Sequence, residues 1–257
     1  MKLDKVIKKK FVYSKNKNLI KSLYFLIHKY FKNKPKKSYS FGGVDLLVNH
    51  FFKNQKKGIY IDIGCYHPIQ GSNTYLLFKK GWNGINIDLD QGSIDLFNHF
   101  RKNDYNKKIA ISDKKGQLTL YSHHDRSAVQ SVSIENSKRM SQEGLEAYQI
   151  ECDMLNSVIE ESQFKNKKID FLSIDIEGHE LTALKNFDFE KYDPSLVVIE
   201  YNDPELISLE FYYQKIENLI NSEIYKFMIA KQYKFVNWHH ADLIFASNTI
   251  FKKRQVY

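Results

Sequence analysis

Acidic residues recur at the ends of hydrophobic runs in this sequence, and glycine follows two of them. The stretch Ile59–Thr74, IYIDIGCYHPIQGSNT, passes from a β-branched run into polar residues at Asp62 and Gly64. GINID ends in Asp88, LVVIE ends in Glu200, and IDFLSIDIEGHE sets Asp175 and Glu177 before Gly178, His179 and Glu180. A carboxylate at the end of a buried strand can accept both hydroxyls of a ribose, hold a hard cation or take a proton. Glycine beside it permits a tight turn and a close approach of the backbone to a ligand. Two carboxylates two residues apart leave an extended strand on the same side, so Asp175 and Glu177 are candidates for a general base or for the ligands of a divalent cation. The plainer reading of either is a cap on the helix that follows. No G-x-G-x-x-G cradle accompanies Gly64, which argues against a dinucleotide and leaves a nucleoside without a pyrophosphate.

Such residues need a scaffold, and the chain supplies one. From residue 58, short apolar runs alternate with helical patterns, the mark of parallel α/β units. The expected strands are Ile59–Ile63, Gly84–Asp88, Lys108–Ile111, Ile169–Ile174 and Leu196–Glu200. Helical segments at Thr74–Lys80 and Ile94–Arg101 serve as crossovers between the first three. Gln117–Tyr121 and Gln149–Cys152 read as extra strands around a polar helix near Glu135–Tyr148. Tyr233–Trp238 and Asp242–Ser247 are separated by only three residues, too few for a crossover, so they must pair as an antiparallel hairpin.

The 257 residues suit one large domain with an appendage, and a hydrophobic share of 42% suits a globular body. The net charge of +9 is concentrated at the start: residues 1–37 hold 13 lysines and one acid, a net +12, which leaves −3 for residues 38–257. Within that leader Leu19, Ile20, Leu23, Leu26, Ile27 and Phe31 recur at helical spacing among lysines, a basic amphipathic helix. It fits either attachment to an anionic membrane surface or packing on the body. No base-reading motif accompanies the lysines, so no nucleic-acid partner is expected. Cys65 and Cys152 are too few for a disulfide framework, and the start lacks a signal peptide's apolar core, so a cytoplasmic protein is expected, with the inner face of the membrane as a place of peripheral attachment.

Four segments, GIYIDIGCYHP…SNTYLLFKKGWNGINIDLD (58–90), AISDKKGQLTLY (110–121), IDFLSIDIEGHELTALK (169–185) and VVIEYN (197–202), resemble in order and spacing the FkbM-type S-adenosylmethionine-dependent methyltransferases. The resemblance spans about Ser38 to Ser247 and excludes the leader. It implies a Rossmann-like class I methyltransferase fold, α/β, with a seven-stranded, mostly parallel sheet whose last strand is antiparallel. It also implies that Asp62 and Gly64 flank the methionine part of S-adenosylmethionine, that Asp88 binds the ribose, and that Asp113 lies on the adenine side. Ser72, Asn73 and Thr74 fall where the family's first loop covers the cofactor. The expected proton acceptor is Asp175 or Glu177, with His67 or His179 as possible assistants, and the expected acceptor substrate is a sugar hydroxyl of a glycan or glycolipid. His239 and His240, at the hairpin tip, could face substrate or only water. Two rivals remain: a glycosyltransferase holding a metal and sugar nucleotide on Asp88–Asp90, and a non-catalytic binding module of the same fold.

Overall fold

The computed structural model describes residues 36–122, 146–201 and 215–250. The chain divides into Met1–Lys37 and Ser38–Tyr257. The amphipathic pattern of the leader and most of the segment read as a helix near Glu135–Tyr148 lie outside the described residues.

In the larger unit, α1 (Val44–Phe51) precedes β1 (Ile59–Ile63), α2 (Tyr75–Lys79), β2 (Asn83–Asp88), α3 (Gln91–Phe100) and β3 (Tyr105–Lys108). A small excursion follows through β4 (Ala110–Ile111), β5 (Gly116–Ser122) and β6 (Glu146–Asp153). The chain continues with α4 (Leu155–Glu161), β7 (Phe171–Ile174), α5 (Glu180–Leu184), α6 (Phe189–Tyr192) and β8 (Leu196–Glu200). It closes on α7 (Ile216–Asn221), α8 (Glu223–Ala230), β9 (Tyr233–His239) and β10 (Asp242–Ser247).

The main sheet has seven strands in the order β3-β2-β1-β7-β8-β10-β9, and β10 runs antiparallel to both neighbours. The hairpin expected from its short connection is therefore present, and it turns Asp242 back beside Glu200 at the carboxyl edge of the parallel strands. Strand order reverses between β1 and β7. In open α/β sheets that reversal opens a crevice beyond the strand ends, where ligands bind.

Central strands are buried on both faces, which is why they read as short, largely apolar runs. Ile61, Ile63, Ile85, Ile87, Leu172 and Ile174 pack on one face in a cluster that also takes Phe187, Tyr192 and Met228. Tyr60, Phe171, Val198 and Ile244 pack on the other, against Val44, Val48, Leu77 and Trp82. Each such side chain stabilises the fold by ~1.5–3 kcal/mol on burial. Asp62 alternates onto the Tyr60 face and is buried there.

Two expectations needed correction. The run Lys108–Ile111 is split: β3 is the polar edge segment Tyr105–Lys108, paired with β2, while Ala110–Ile111 leaves to pair with β6 in a second sheet of order β4-β6-β5. An edge strand is covered on one side only, so its sequence need not be apolar. Glu146–Tyr148, expected at the end of a helix, belongs to β6 and pairs antiparallel with Leu120–Ser122.

A segment ahead of α1 braces the carboxyl edge. The buried Asp45 carboxylate accepts from the Ser38 hydroxyl (2.6 Å), the Tyr39 amide (2.7 Å) and the Ser40 hydroxyl (3.0 Å), which fixes residues 38–40. The Tyr39 carbonyl then accepts from the Ser72 amide (3.2 Å), and the Gly42 carbonyl lies 2.6 Å from Nε2 of His239 at the hairpin tip. No helix among the described residues is long and apolar enough to cross a membrane.

Candidate active site

At the end of β1, Gly64 adopts φ 75°, and its amide and that of Cys65 both donate to the Ile87 carbonyl of β2 (2.9 and 3.1 Å). A Cβ on Gly64 would lie 1.7 Å from the Asp175 carbonyl oxygen. Glycine is thus required for the approach of β1 to the turn after β7, in addition to the turn itself.

Asp62 and Asp88 stand on either side of that turn. Oδ2 of Asp62 accepts from the buried Thr74 hydroxyl (2.6 Å), and burial lifts its carboxyl from the ordinary range to about 6 against the pull of Thr74 and Arg101. Asp88 accepts the Tyr66 amide on one oxygen (2.7 Å) and the Asp90 amide on the other (2.9 Å); burial raises it while these amides hold it down. Each carboxylate oxygen has two lone pairs, so Asp88 keeps acceptor capacity for a ribose. Asp90, by contrast, caps α3 with Oδ2, which accepts from the Ser93 amide (2.7 Å) and hydroxyl (3.1 Å). The Asp88–Asp90 pair required by the glycosyltransferase rival is therefore divided between a strand end and a helix cap.

The loop between β1 and α2 carries the other expected cofactor residues. Asn73 crosses to β7, where its Nδ2 donates to Ser173 Oγ (3.1 Å). Thr74 occupies the N-cap position of α2 but makes no capping bond with its side chain, because its hydroxyl is directed to Asp62. His67 accepts the Ile69 and Gln70 amides on Nδ1 (3.1 and 3.0 Å). That arrangement puts the proton of a neutral ring on Nε2, so toward a substrate His67, expected as an assistant to the acids, would present a donor.

Beyond β7 lies a group of carboxylates. Asp175, Glu177 and Glu200 each place an oxygen within 4.8 Å of the others, an arrangement able to hold a hard divalent cation. Glu177 is not on the strand: at φ 56° it occupies the left-handed region, and the tight turn, rather than strand alternation, brings it beside Asp175. The turn is held by Glu180 of α5, whose Oε1 accepts both the Ile176 and Gly178 amides (3.0 Å each). Asp242 completes the group from the start of β10.

Burial raises every member. Glu177, Glu180 and Asp242 are each pushed up to about 7, Glu177 by burial and then by Asp175 and Glu180. Glu200 is raised well above the carboxylate range by burial and then by Asp175, Glu177 and Glu180. Asp175 is open to solvent on its outer edge, yet the protein packed behind it raises its carboxyl as well. Asp175, Glu180, Glu200 and Asp242 enter none of the ion pairs among the described residues. The Glu200 and Asp175 carboxyls are hydrogen-bonded to each other, while Oε2 of Glu200 is buried without a hydrogen-bond partner among the described residues.

Asp113 lies apart from this group, in the turn after β4, where its carbonyl accepts from Asn186 Nδ2 (2.6 Å). The neighbouring Ser112 hydroxyl is 3.2 Å from Nε2 of His179, whose ring is shifted down by burial. His240 lies against Gly42 at the hairpin tip. Sequence reasoning missed Asp242 and Arg101. The hairpin could have revealed Asp242, since antiparallel pairing brings its start to the ligand edge; Arg101 gave no such signal.

Comparison with known proteins decides the family. A family model described as the methyltransferase FkbM domain matches residues 62–234, about two thirds of the chain. The chain belongs to the FkbM methyltransferase family. It is an S-adenosylmethionine-dependent methyltransferase. No curated protein matches it. Among solved structures, it is similar to a TehB-like SAM-dependent methyltransferase from Corynebacterium glutamicum at 11% identity, covering 88% of this chain and 97% of that one, with a TM-score of 0.40. An O-methyltransferase from Bacillus cereus in complex with SAH matches at 12% identity over 96% of each chain, with a TM-score of 0.38.

The site suits this cofactor on its own chemistry. S-adenosylmethionine presents a sulfonium and an ammonium group, and the crevice between β1 and β7 is lined by carboxylates whose ionisation is suppressed by burial and by one another. A cationic ligand relieves that suppression. Asp62 and Gly64 would flank its methionine end and Asp88 its ribose.

Proposed function

We propose that this FkbM-family protein transfers a methyl group to a sugar hydroxyl of a glycan or glycolipid, with Glu177, supported by Asp175, as the proton acceptor. The observation that carries the reading is the grouping of Asp175, Glu177 and Glu200 at the carboxyl edge, each with an oxygen within 4.8 Å of the others, where burial and the neighbouring acids raise Glu177 to about 7. A base is most effective when it titrates near working pH, and an ordinary carboxylate is too weak to serve a sugar hydroxyl. S-adenosylmethionine supplies a methyl group already activated on sulfur. The protein's own part is to orient the acceptor oxygen, exclude water and take the hydroxyl proton.

A divalent cation on Asp175, Glu177 and Glu200 is the second way to make the same hydroxyl reactive, favoured by the spacing of their oxygens. Turnover after exhaustive EDTA treatment separates the two. Loss that magnesium restores assigns the three acids to a cation; unchanged turnover assigns them to proton acceptance.

The proposal extends to location: a cytoplasmic enzyme whose lysine-rich residues 1–37 attach to an anionic membrane surface, where lipid-linked glycans are available. Equal sedimentation of full-length and leader-deleted protein with anionic liposomes would remove that part alone. For the activity, calorimetry with S-adenosylmethionine, its demethylated product and a nucleotide sugar comes first, on wild type and Asp88→Ala. Wild type should bind the first two, and Asp88→Ala should weaken both by at least about tenfold, the value of a charged hydrogen bond. Labelled methyl should then appear on glycan hydroxyls. Nucleotide-sugar binding in place of cofactor binding would overturn the reading.

A further inference from the structure

Arg101, which caps the C-terminus of α3, is fully buried. A guanidinium is stripped of water only at a cost of several kcal/mol, recovered when its donors are used. Arg101 enters none of the ion pairs among the described residues. Its Nη2 donates to the Pro68 carbonyl (2.6 Å) and Ser72 Oγ (3.0 Å). Nη1 donates to Thr74 Oγ1 (2.8 Å), the Tyr60 hydroxyl (3.1 Å) and Asn86 Oδ1 (3.4 Å). The rings of Phe97 and Phe78 lie 4.8 and 5.1 Å from its centre.

Two of these acceptors pass the charge on. Tyr60 donates its proton to Asp104 (2.5 Å), which also accepts the Gly84 amide and Asn86 Nδ2 beneath the sheet. Thr74 donates its proton to Asp62 (2.6 Å) at the end of β1. The first arm ends in the scaffold and the second at the crevice. A hydroxyl has one proton: Arg101 donates to Thr74 Oγ1 and the Ser72 hydroxyl lies 3.2 Å from it, so with Ser72 as the donor of that pair the Thr74 proton goes to the nearer Asp62 carboxylate.

We propose that Arg101 is a positioning residue of the cofactor site: it holds the Pro68–Thr74 loop over the crevice and, through the Thr74 hydroxyl, presents Asp62 as an anion to the cationic methionine end of the cofactor. The inference rests on the cofactor reading of that crevice. Asp62 is faced by Arg101 from the end of α3, by Asp88 from the end of β2, by Asp175 from beyond β7 and by the Cys65 thiol. Burial opposes its charged form most, Thr74 and Arg101 favour that form, and the two aspartates oppose it.

The test follows the Asp62 carboxyl carbon by NMR in the ligand-free protein, together with the pH dependence of S-adenosylmethionine binding. In wild type the Asp62 resonance should show a midpoint near 6, and binding should strengthen through the same step before a further rise near 7 as Glu177, Glu180 and Asp242 ionise. Thr74→Val, which keeps the shape and removes the hydroxyl, should raise the midpoints of the Asp62 resonance and of that first binding step by about one pH unit or more, since it removes a hydrogen bond to the charged form. Thr74→Ser should return them to the wild-type values. Arg101→Lys keeps the charge and loses the fork; it should hold the midpoint while amide exchange at Ile69–Asn73 accelerates. Thr74→Ala replaces the valine variant if that one does not fold. Midpoints unchanged in a folded variant without the hydroxyl would overturn the inference. Absence of cofactor binding by wild type would instead refute the reading beneath it, and the Asp62 titration would still report on the Arg101–Thr74–Asp62 chain.

Discussion

Replacing Glu200 by glutamine should make the ligand-free protein more stable and a poorer enzyme. Glu200 is raised far above an ordinary carboxyl, so above about pH 4.5 the unfolded chain releases a proton that the folded chain retains or gives up against repulsion. In either case stability falls as pH rises. Glutamine has the same shape and no such penalty. At the 4.8 Å that bounds the Asp175, Glu177 and Glu200 oxygens, Coulomb's law with an effective dielectric constant of 20 gives about 3 kcal/mol per like-charged pair. Asp175 faces solvent, and screening there reduces the recoverable part to about 1–2 kcal/mol. Urea unfolding followed by circular dichroism should therefore show Glu200→Gln more stable than wild type by about 1–2 kcal/mol at pH 8, with the difference closing toward pH 5. Turnover should fall at least about tenfold, as befits a lost charge-assisted contact. A variant less stable than wild type at both pH values would refute the reasoning, since the hydrogen bond between the Glu200 and Asp175 carboxyls would then outweigh the cost of burying the acids together.

Gly64→Ala should cost at least ~3 kcal/mol in the same assay, because left-handed backbone and a 1.7 Å clash with the Asp175 carbonyl act together; an unchanged midpoint would show that the β1 end gives way cheaply. His67→Asn, whose side-chain oxygen can accept the Ile69 and Gln70 amides in place of Nδ1, should retain activity within about threefold, and a hundredfold loss would return His67 to the chemistry. Wild-type stability itself should decline from pH 4.5 to 7.5, since Glu177, Glu180 and Asp242 titrate near 7 when folded and near 4 when unfolded. A thermal-shift series with and without S-adenosylmethionine should show the decline reduced by the cofactor.

The central strands were legible because burial on both faces favours short runs rich in apolar, β-branched residues, as in Ile59–Ile63 and Leu196–Glu200. The terminal hairpin was legible from connection length alone. β3 was not: Tyr-Asn-Lys-Lys is an edge strand, and edges carry no apolar requirement. Among site residues, Asp62, Asp88 and Asp175 announced themselves by standing where a hydrophobic run stops. Arg101 could not, since an arginine closing a helix is ordinarily a surface residue that complements the helix dipole. Only the fold brings Tyr60, Thr74 and Asn86 around it, from three elements distant in sequence. Glu180 follows the candidate acids in the same motif, and only the structure shows that its Oε1 holds the backbone of the turn.

The brace formed by residues 38–42 bears on where the working enzyme begins and ends. The family match starts at residue 62 and stops at 234, within β9. A fragment cut to that span would lack β10, with Asp242 and the strand's pairing along the whole of β8. It would also lack Tyr39 and Gly42, whose carbonyls tie the Ser72 loop to one side and the hairpin tip to the other. The two extremities of the domain thus clasp each other at the ligand edge, like the ends of a belt. A fragment for expression, or a fusion joint, must leave everything from Ser38 through Ser247 intact for that clasp to close.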